Sequence, residues 1–178
     1  KSENVLLKII SKELSSKNKS SLQDNNQIYF FEEFVYYINE NLIKGKDVLS
    51  VTNFKLPNSD KFYFSDGIFN LKDKEFTAKE TKINLHKNVF KRENNDPRIY
   101  AVSSKGVNNK TTLSKGVFTS CQVRDGCSPW SIKSEEIIHD KEKKQLSYKN
   151  AFLNIYDIPV VYFPRFFHPD PTVERQSG

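Results

Sequence analysis

The chain has 178 residues, 37% of them apolar and 28% charged, a formal net charge of +6 and a mean hydropathy of -0.65. It is long enough for one domain or two very small ones, and lean for a thick globular core. No stretch approaches the roughly 20 apolar residues of a membrane-spanning helix, and the lysines are scattered, which disfavours a nucleic-acid face. The apolar area is concentrated in 14 Phe, 8 Tyr and 1 Trp. That suits a thin sheet or an open groove better than a helix bundle. There is no Met, so Lys1 is not read as a translation start.

Near the start, Val5, Leu6, Ile9, Ile10 and Leu14 have the spacing of one helical face. Lys1-Ser-Glu-Asn-Val5 nevertheless matches Lys44-Gly-Lys-Asp-Val48, which favours a strand from Val5 to Ile10. Residues 15–26 are rich in Ser, Lys and Asn and read as a polar loop. Residues 27–38, QIYFFEEFVYYI, read as one strand with two faces. One carries Ile28, Phe30, Phe34, Tyr36 and Ile38; the other carries Tyr29, Phe31, Val35 and Tyr37. KFYFSDGIFNL at 61–71 and AFLNIYDIPVVYF at 151–163 have the same character. RENNDPR at 92–98 reads as a turn or longer loop, and no low-complexity linker divides residues 1–178.

A weak internal repeat runs through these strands. Ile43-Lys-Gly-Lys-Asp47, Phe76-Thr-Ala-Lys-Glu80 and Leu146-Ser-Tyr-Lys-Asn150 each run from an apolar residue to Lys and then to Asp, Glu or Asn. Leu113-Ser-Lys-Gly116 is a looser fourth copy. An apolar residue and a polar turn precede the first, second and last copies, so each unit reads as strand, turn, strand. One hairpin cannot bury its own apolar face, whereas stacked copies bury a shared one. The expectation is an all-β antiparallel sheet of stacked hairpins.

Chemical signatures are sparse. There is no G-x-G-x-x-G, P-loop or H-E-x-x-H, and no nucleophile elbow, so neither an enzyme nor a cofactor is expected. His86 and His139 fall on or beside expected strands and read as surface residues. Cys121 and Cys127 bracket QVRDG, and no second cysteine pair or nearby His completes a metal site. Two thiols, a short closed loop and pairing with cysteines elsewhere in a longer chain all stay open. Trp130 reads as a core anchor at a strand start. Pro159, Pro164, Pro169 and Pro171 disfavour a central strand beyond Phe163 and suit an edge or a seam.

The final third carries a set of blocks in a fixed order: FTSC (118–121), WSI (130–132), IIHD (137–140), PVVYFPRF (159–166), HPDP (168–171) and RQSG (175–178). In this it resembles the periplasmic domain of the LPS-assembly family called LptD or OstA (organic solvent tolerance protein). The upstream repeats resemble the strand repeats of periplasmic lipopolysaccharide-transport proteins. The resemblance implies an antiparallel β-jellyroll, open along one side, with an apolar interior. It implies lipopolysaccharide as ligand, received from a periplasmic bridge of similar jellyrolls. The acyl chains would pass to an outer-membrane barrel of the same chain and its plug lipoprotein, at the periplasmic face of the outer membrane. The barrel would begin where this sequence stops, making Tyr162, Pro164, Phe166, Pro169, Arg175, Ser177 and Gly178 the barrel junction. Cys121 matches the cysteine by which the family forms assembly-reporting disulfides, with Cys127 as its neighbour or as a second such cysteine.

Within such a trough the expected lining is Ile28, Phe30, Phe34, Tyr36, Ile38, Phe62, Phe64, Ile68, Phe76, Ile83, Leu85 and Ile138. Apolar contact at roughly 25 cal/mol per Å2 holds acyl chains without directional chemistry and lets them slide. A free-standing bridge protein of the same fold and a carbohydrate-binding β module are the alternatives.

Overall fold

The computed structural model describes residues 4–23, 26–56, 59–85, 95–121, 129–170 and 173. Its strands are β1 (Leu6–Lys8), β2 (Glu13–Ser16), β3 (Ser20–Gln23), β4 (Gln27–Phe31), β5 (Glu33–Tyr37), β6 (Leu42–Thr52), β7 (Lys61–Asn70), β8 (Glu75–Asn84), β9 (Asn95–Val107), β10 (Lys110–Cys121), β11 (Trp130–Asp140), β12 (Gln145–Ile155) and β13 (Ile158–Pro169). They form one 13-stranded sheet in the order β1-β2-β5-β6-β7-β8-β9-β10-β11-β12-β13, with β4 also on β6 and β3 on β4. From β6 onward each strand pairs antiparallel with the next in sequence. The sheet stays open, because β1 and β13 lie at opposite ends of that order. It also rolls. Lys141, in the turn after β11, stands 5.0 Å from the ring centre of Phe62 in β7 and 3.9 Å from Asp60, although three strands separate β7 from β11. The fold is the expected all-β open jellyroll.

The hairpin turns repeat their chemistry. Asn41, Lys74 and Lys144 each adopt a left-handed φ at the close of a turn, and Asn108 at the start of one. Asn70 Oδ1 accepts the N–H groups of Lys72 and Asp73, and Asp140 Oδ1 accepts those of Glu142 and Lys143, so two turns carry the same Asx cap.

A second row of left-handed residues, Asp47, Glu80, Lys115 and Asn150, crosses the middles of β6, β8, β10 and β12. Ladder pairing skips one or two residue pairs here on each neighbouring pair from β6 to β13, as between Lys46↔Asp66 and Val48↔Phe64. The skipped row runs Asp47, Ser65, Glu80, Val102, Lys115, Glu135, Asn150, Pro164. Inward parity changes across it. In β6 the buried residues are Ile43 and Gly45 before the row, then Val48 and Ser50 after it. The result is a crease that divides the inner face into two halves.

The crease is the physical content of the repeat. The Lys-Asp, Lys-Glu and Lys-Asn pairs at 46–47, 79–80 and 149–150 are consecutive residues directed away from the core. In β10 the row falls at Lys115, so the fourth copy aligns from Thr111, two residues earlier than the expected Leu113. Gly45, Gly67 and Ala78 form a cross-strand run beside the crease. A Cβ on Gly45 would lie 2.4 Å from the Phe31 ring, and one on Gly67 would lie 2.5 Å from Phe69.

Several expectations change. Residues 5–10 are a strand only over Leu6–Lys8, followed by a turn. The polar loop at 15–26 contains β3 and the end of β2, with Ser16 and Ser20 buried. The single strand at 27–38 is broken at Glu32, and Ile38 opens a 3-10 turn. Phe31 therefore points inward from β4, and Phe34 and Tyr36 point inward from β5. RENNDPR ends inside β9, where Pro97 and Arg98 are buried. As expected of an edge, Pro159, Pro164 and Pro169 lie in β13, the terminal strand of the sheet. Pro164 is tolerated because it occupies the row where the ladder is already interrupted.

Candidate functional site

The inner face of the sheet buries one continuous apolar cluster, from Phe31 and Ile43 through Ile83, Ile99, Leu113 and Ile137 to Leu146 and Tyr148. Aromatic rings gather at its two ends. In β4–β8, the Phe69 ring centre lies 5.5 Å from Tyr29, 6.3 Å from Phe31, 5.8 Å from Phe64 and 6.1 Å from Phe76. In β10–β13, Phe118 lies 6.0 Å from Trp130, 6.3 Å from Tyr148 and 5.1 Å from His168. Tyr148 also packs against Phe166 at 5.6 Å. Between the two ends the wall is mainly aliphatic.

Several polar groups on this face are satisfied inside the wall. Thr81 and Ser104 share a hydroxyl hydrogen bond of 2.6 Å. Ser134 Oγ donates to the carbonyls of Glu136 and Lys149 beside the crease. Thr119 Oγ1 donates to the Trp130 carbonyl at 2.8 Å. The buried Arg98 donates to the carbonyls of Asp96 and Cys121, with the Asp96 carboxylate 3.6 Å away. Burial and the nearby Asp170 charge push the Tyr148 phenol well above its ordinary 10.0, so it stays protonated; its hydroxyl meets His168 Nε2 at 2.8 Å. His139, expected at the surface, is fully buried, and its Nε2 pairs with Asp170 Oδ2. No group of three His, Cys, Asp or Glu side chains able to hold a metal occurs among the described residues.

The expected trough residues divide between two faces. Phe62, Phe64, Ile83 and Leu85 are in the buried cluster, and Phe34, Tyr36 and Phe76 pack against it. Phe30, Ile38 and Ile68 are exposed. Ile138 alternates with the buried Ile137 and His139, and Ile28 is half-buried. Phe31, Phe69, Phe118 and Tyr148 are inner-face residues absent from the expected lining. The signal for Phe31 was the Glu32-Glu33 pair, which marks the crease in a strand otherwise read as unbroken.

At the junction, Phe166 packs on the cluster, Tyr162 and Pro164 are exposed, and Pro169 ends β13. Arg175, Ser177 and Gly178 lie outside the described residues, as do Cys127 and His86. Cys121 is a free thiol, its Sγ 3.9 Å from the Trp130 carbonyl oxygen. The blocks FTSC, WSI, IIHD, PVVYFPRF and HPDP thus meet at one end of the sheet, through Phe118, Trp130, His139, Phe166, His168 and Asp170.

Proteins named LPS-assembly protein LptD match part of this chain. That of Yersinia enterocolitica (serotype O:8 / biotype 1B) is 40% identical over 74 residues, 42% of this chain and 9% of that protein. That of Sodalis glossinidius is 38% identical over 77 residues, 43% of this chain and 10% of that protein. That of Escherichia coli strain K12 is 36% identical over 77 residues, 43% of this chain and 9% of that protein. The chain is LptD-like. No family model matches it. The matched segment spans about a tenth of the length of these LptD relatives. The likeness to LptD proteins and the open all-β sheet are consistent with a jellyroll.

Proposed function

We propose that residues 1–178 form one periplasmic jellyroll domain of a lipopolysaccharide-assembly protein, a carrier rather than an enzyme. Its place is the periplasmic face of the outer membrane, ahead of a barrel with its plug lipoprotein. It accepts lipopolysaccharide from a bridge of similar jellyrolls and passes the acyl chains on toward that barrel. The observation that carries this reading is an open sheet whose inner face is apolar from β4 to β13. Such a face offers contact by area alone, which holds a lipid without fixing its position along the trough.

In this proposal Phe34, Tyr36, Phe62, Phe64, Phe76, Ile83 and Leu85 make the inner wall, which an acyl chain reaches as the open sheet spreads. Ile28, Phe30, Ile38, Ile68 and Ile138 complete the proposed lining at the mouth and outer margin. Tyr162, Pro164, Phe166 and Pro169, with Arg175, Ser177 and Gly178, make the proposed junction with the barrel. Cys121, a free thiol in this structure, would pair with Cys127 or with a cysteine of the barrel, or stay free.

The test is site-specific photo-crosslinking in cells. A photoreactive residue at Phe34 or Phe76 is expected to capture lipopolysaccharide, and one at Asn18 is not. Equal capture at all three positions, or none at any, would reject the interior path.

A further inference from the structure

The end of β13 is held differently from the rest of the sheet. β13 has β12 as its strand neighbour and lies at the end of the sheet order. Its pairing skips a step at Asn150 and Pro164 and is irregular at Leu153/Asn154. Three of its residues, Pro159, Pro164 and Pro169, have no N–H to give to any ladder. Most of its side chains are exposed. On ladder bonds and contacts alone it is the least firmly held of the long strands.

Just past its end, Asp170 turns back into the core. Asp170 and His139 are both almost wholly buried, and their side chains are paired. Asp170 N–H also donates to the Lys144 carbonyl at 2.8 Å, on the turn between β11 and β12. His139 Nδ1 has no hydrogen-bond partner among the described residues, so the ring's polar anchorage there is at Nε2. Removing Asp170 leaves His139 buried with neither ring nitrogen paired, a costly state. The buried pair is thus a strong point contact at the tip of a weakly held strand, reached from a different strand, β11.

We propose that the second half of β13, Arg165–Pro169, is a hinged flap that the His139–Asp170 pair latches shut, with its hinge at Pro164. Closed, the flap lays Phe166 and His168 over Tyr148 and Phe118. Open, it bares those two rings at the β13 end of the apolar face. This assignment does not depend on what ligand the face carries.

Native-state hydrogen exchange on the full chain tests it. In the unmodified protein, amides of residues 165–168, and those of residues 145–149 that bond β13, are expected to exchange through a local opening at least tenfold more frequent than the opening that exposes β7–β10. His139→Asn and Asp170→Asn are each expected to raise that local opening a further tenfold or more, with exchange in β6–β8 unchanged. Cysteines at Ser147 and Phe167, which face each other in the ladder, are expected to suppress the opening when oxidised, in a background with Cys121 and Cys127 replaced by Ser. Equal exchange in β13 and β7–β10 of the unmodified protein would overturn the flap. A uniform rise across all strands in the two substitutions would overturn the latch. If a substitution fails to fold, the exchange of the unmodified chain and of its oxidised cross-link still decides the flap.

Discussion

The two aromatic groups of the inner face differ in kind. The group on β4–β8 is hydrocarbon apart from the Tyr29 and Tyr36 hydroxyls, and its rings meet at many angles around Phe69. The group on β10–β13 is threaded with polar atoms. Tyr148 bonds His168, His168 Nδ1 meets the Pro169 carbonyl at 2.7 Å, and Asp170 and His139 pair close by. The first holds by area and shape, and apolar rings of similar volume can replace one another there. The second holds by direction, and a change of one atom breaks a defined partner. The first group tolerates exchange of its rings, and the second is an end held shut by defined partners.

Substitutions sharpen or break this contrast. The largest effect is expected at the centre of the first group, where Phe69→Ala should cost about 3–5 kcal/mol by denaturant unfolding. Phe69→Leu should cost far less, and equal losses for the two would show that the first group is as directional as the second. Next comes Gly67→Ala, at about 1–3 kcal/mol, because its Cβ would meet the Phe69 ring at 2.5 Å. Combined with Phe69→Leu it should cost less than the two changes taken separately. Strict additivity in a double-mutant cycle would rule out the ring contact as the cause.

In the second group, Tyr148→Phe should cost about 1 kcal/mol at neutral pH, since it leaves His168 Nε2 without the phenol. The folded-state phenol titrates above the unfolded one. Its contribution is therefore present below pH 10 and lost as pH rises through the folded value. Tyr148→Phe should flatten the alkaline limb of a stability–pH curve, and an unchanged limb would count against this origin. The smallest effect is expected at Asp140→Asn. The N–H groups of Lys143 and Glu142, with Lys110 nearby, hold the Asp140 carboxyl below its ordinary value, partly offset by burial. Its contribution is present above about pH 3.8 and lost as pH falls through the folded value. Asn caps the equivalent turn at position 70, so the substitution should preserve the turn and remove only the acid-dependent part. A large loss at neutral pH would show that the Lys110 pairing matters more than the cap.

Much of the strand content was legible because long aromatic and β-branched runs alternate with polar turns of a few residues. The repeat was legible too, though its meaning was not. Lys-Asp, Lys-Glu and Lys-Asn looked like a spacing signal, whereas they mark the crease where two consecutive residues face outward. Reading residues 27–38 with one unbroken period therefore put Phe30 with Phe34, when Phe31 is the inward residue. β3 escaped notice because Ser20–Gln23 is polar; it is a strand by virtue of its neighbour β4, and nothing in its own composition requires it. His139 escaped for a similar reason. A histidine is buried only when a partner is buried with it, and that partner lies 31 residues away in sequence.

By itself the sequence determined the class of the molecule: an antiparallel all-β sheet of stacked hairpins with an apolar face, LptD-like at its end. Those features depend on local alternation and on short blocks, which are written along the chain. Only the tertiary structure decided which face is the interior, where the crease crosses, and that His139 and Asp170 meet. Inward parity changes within the long strands, and the sheet rolls until β11 and the end of β13 converge. Both are consequences of strands placed side by side.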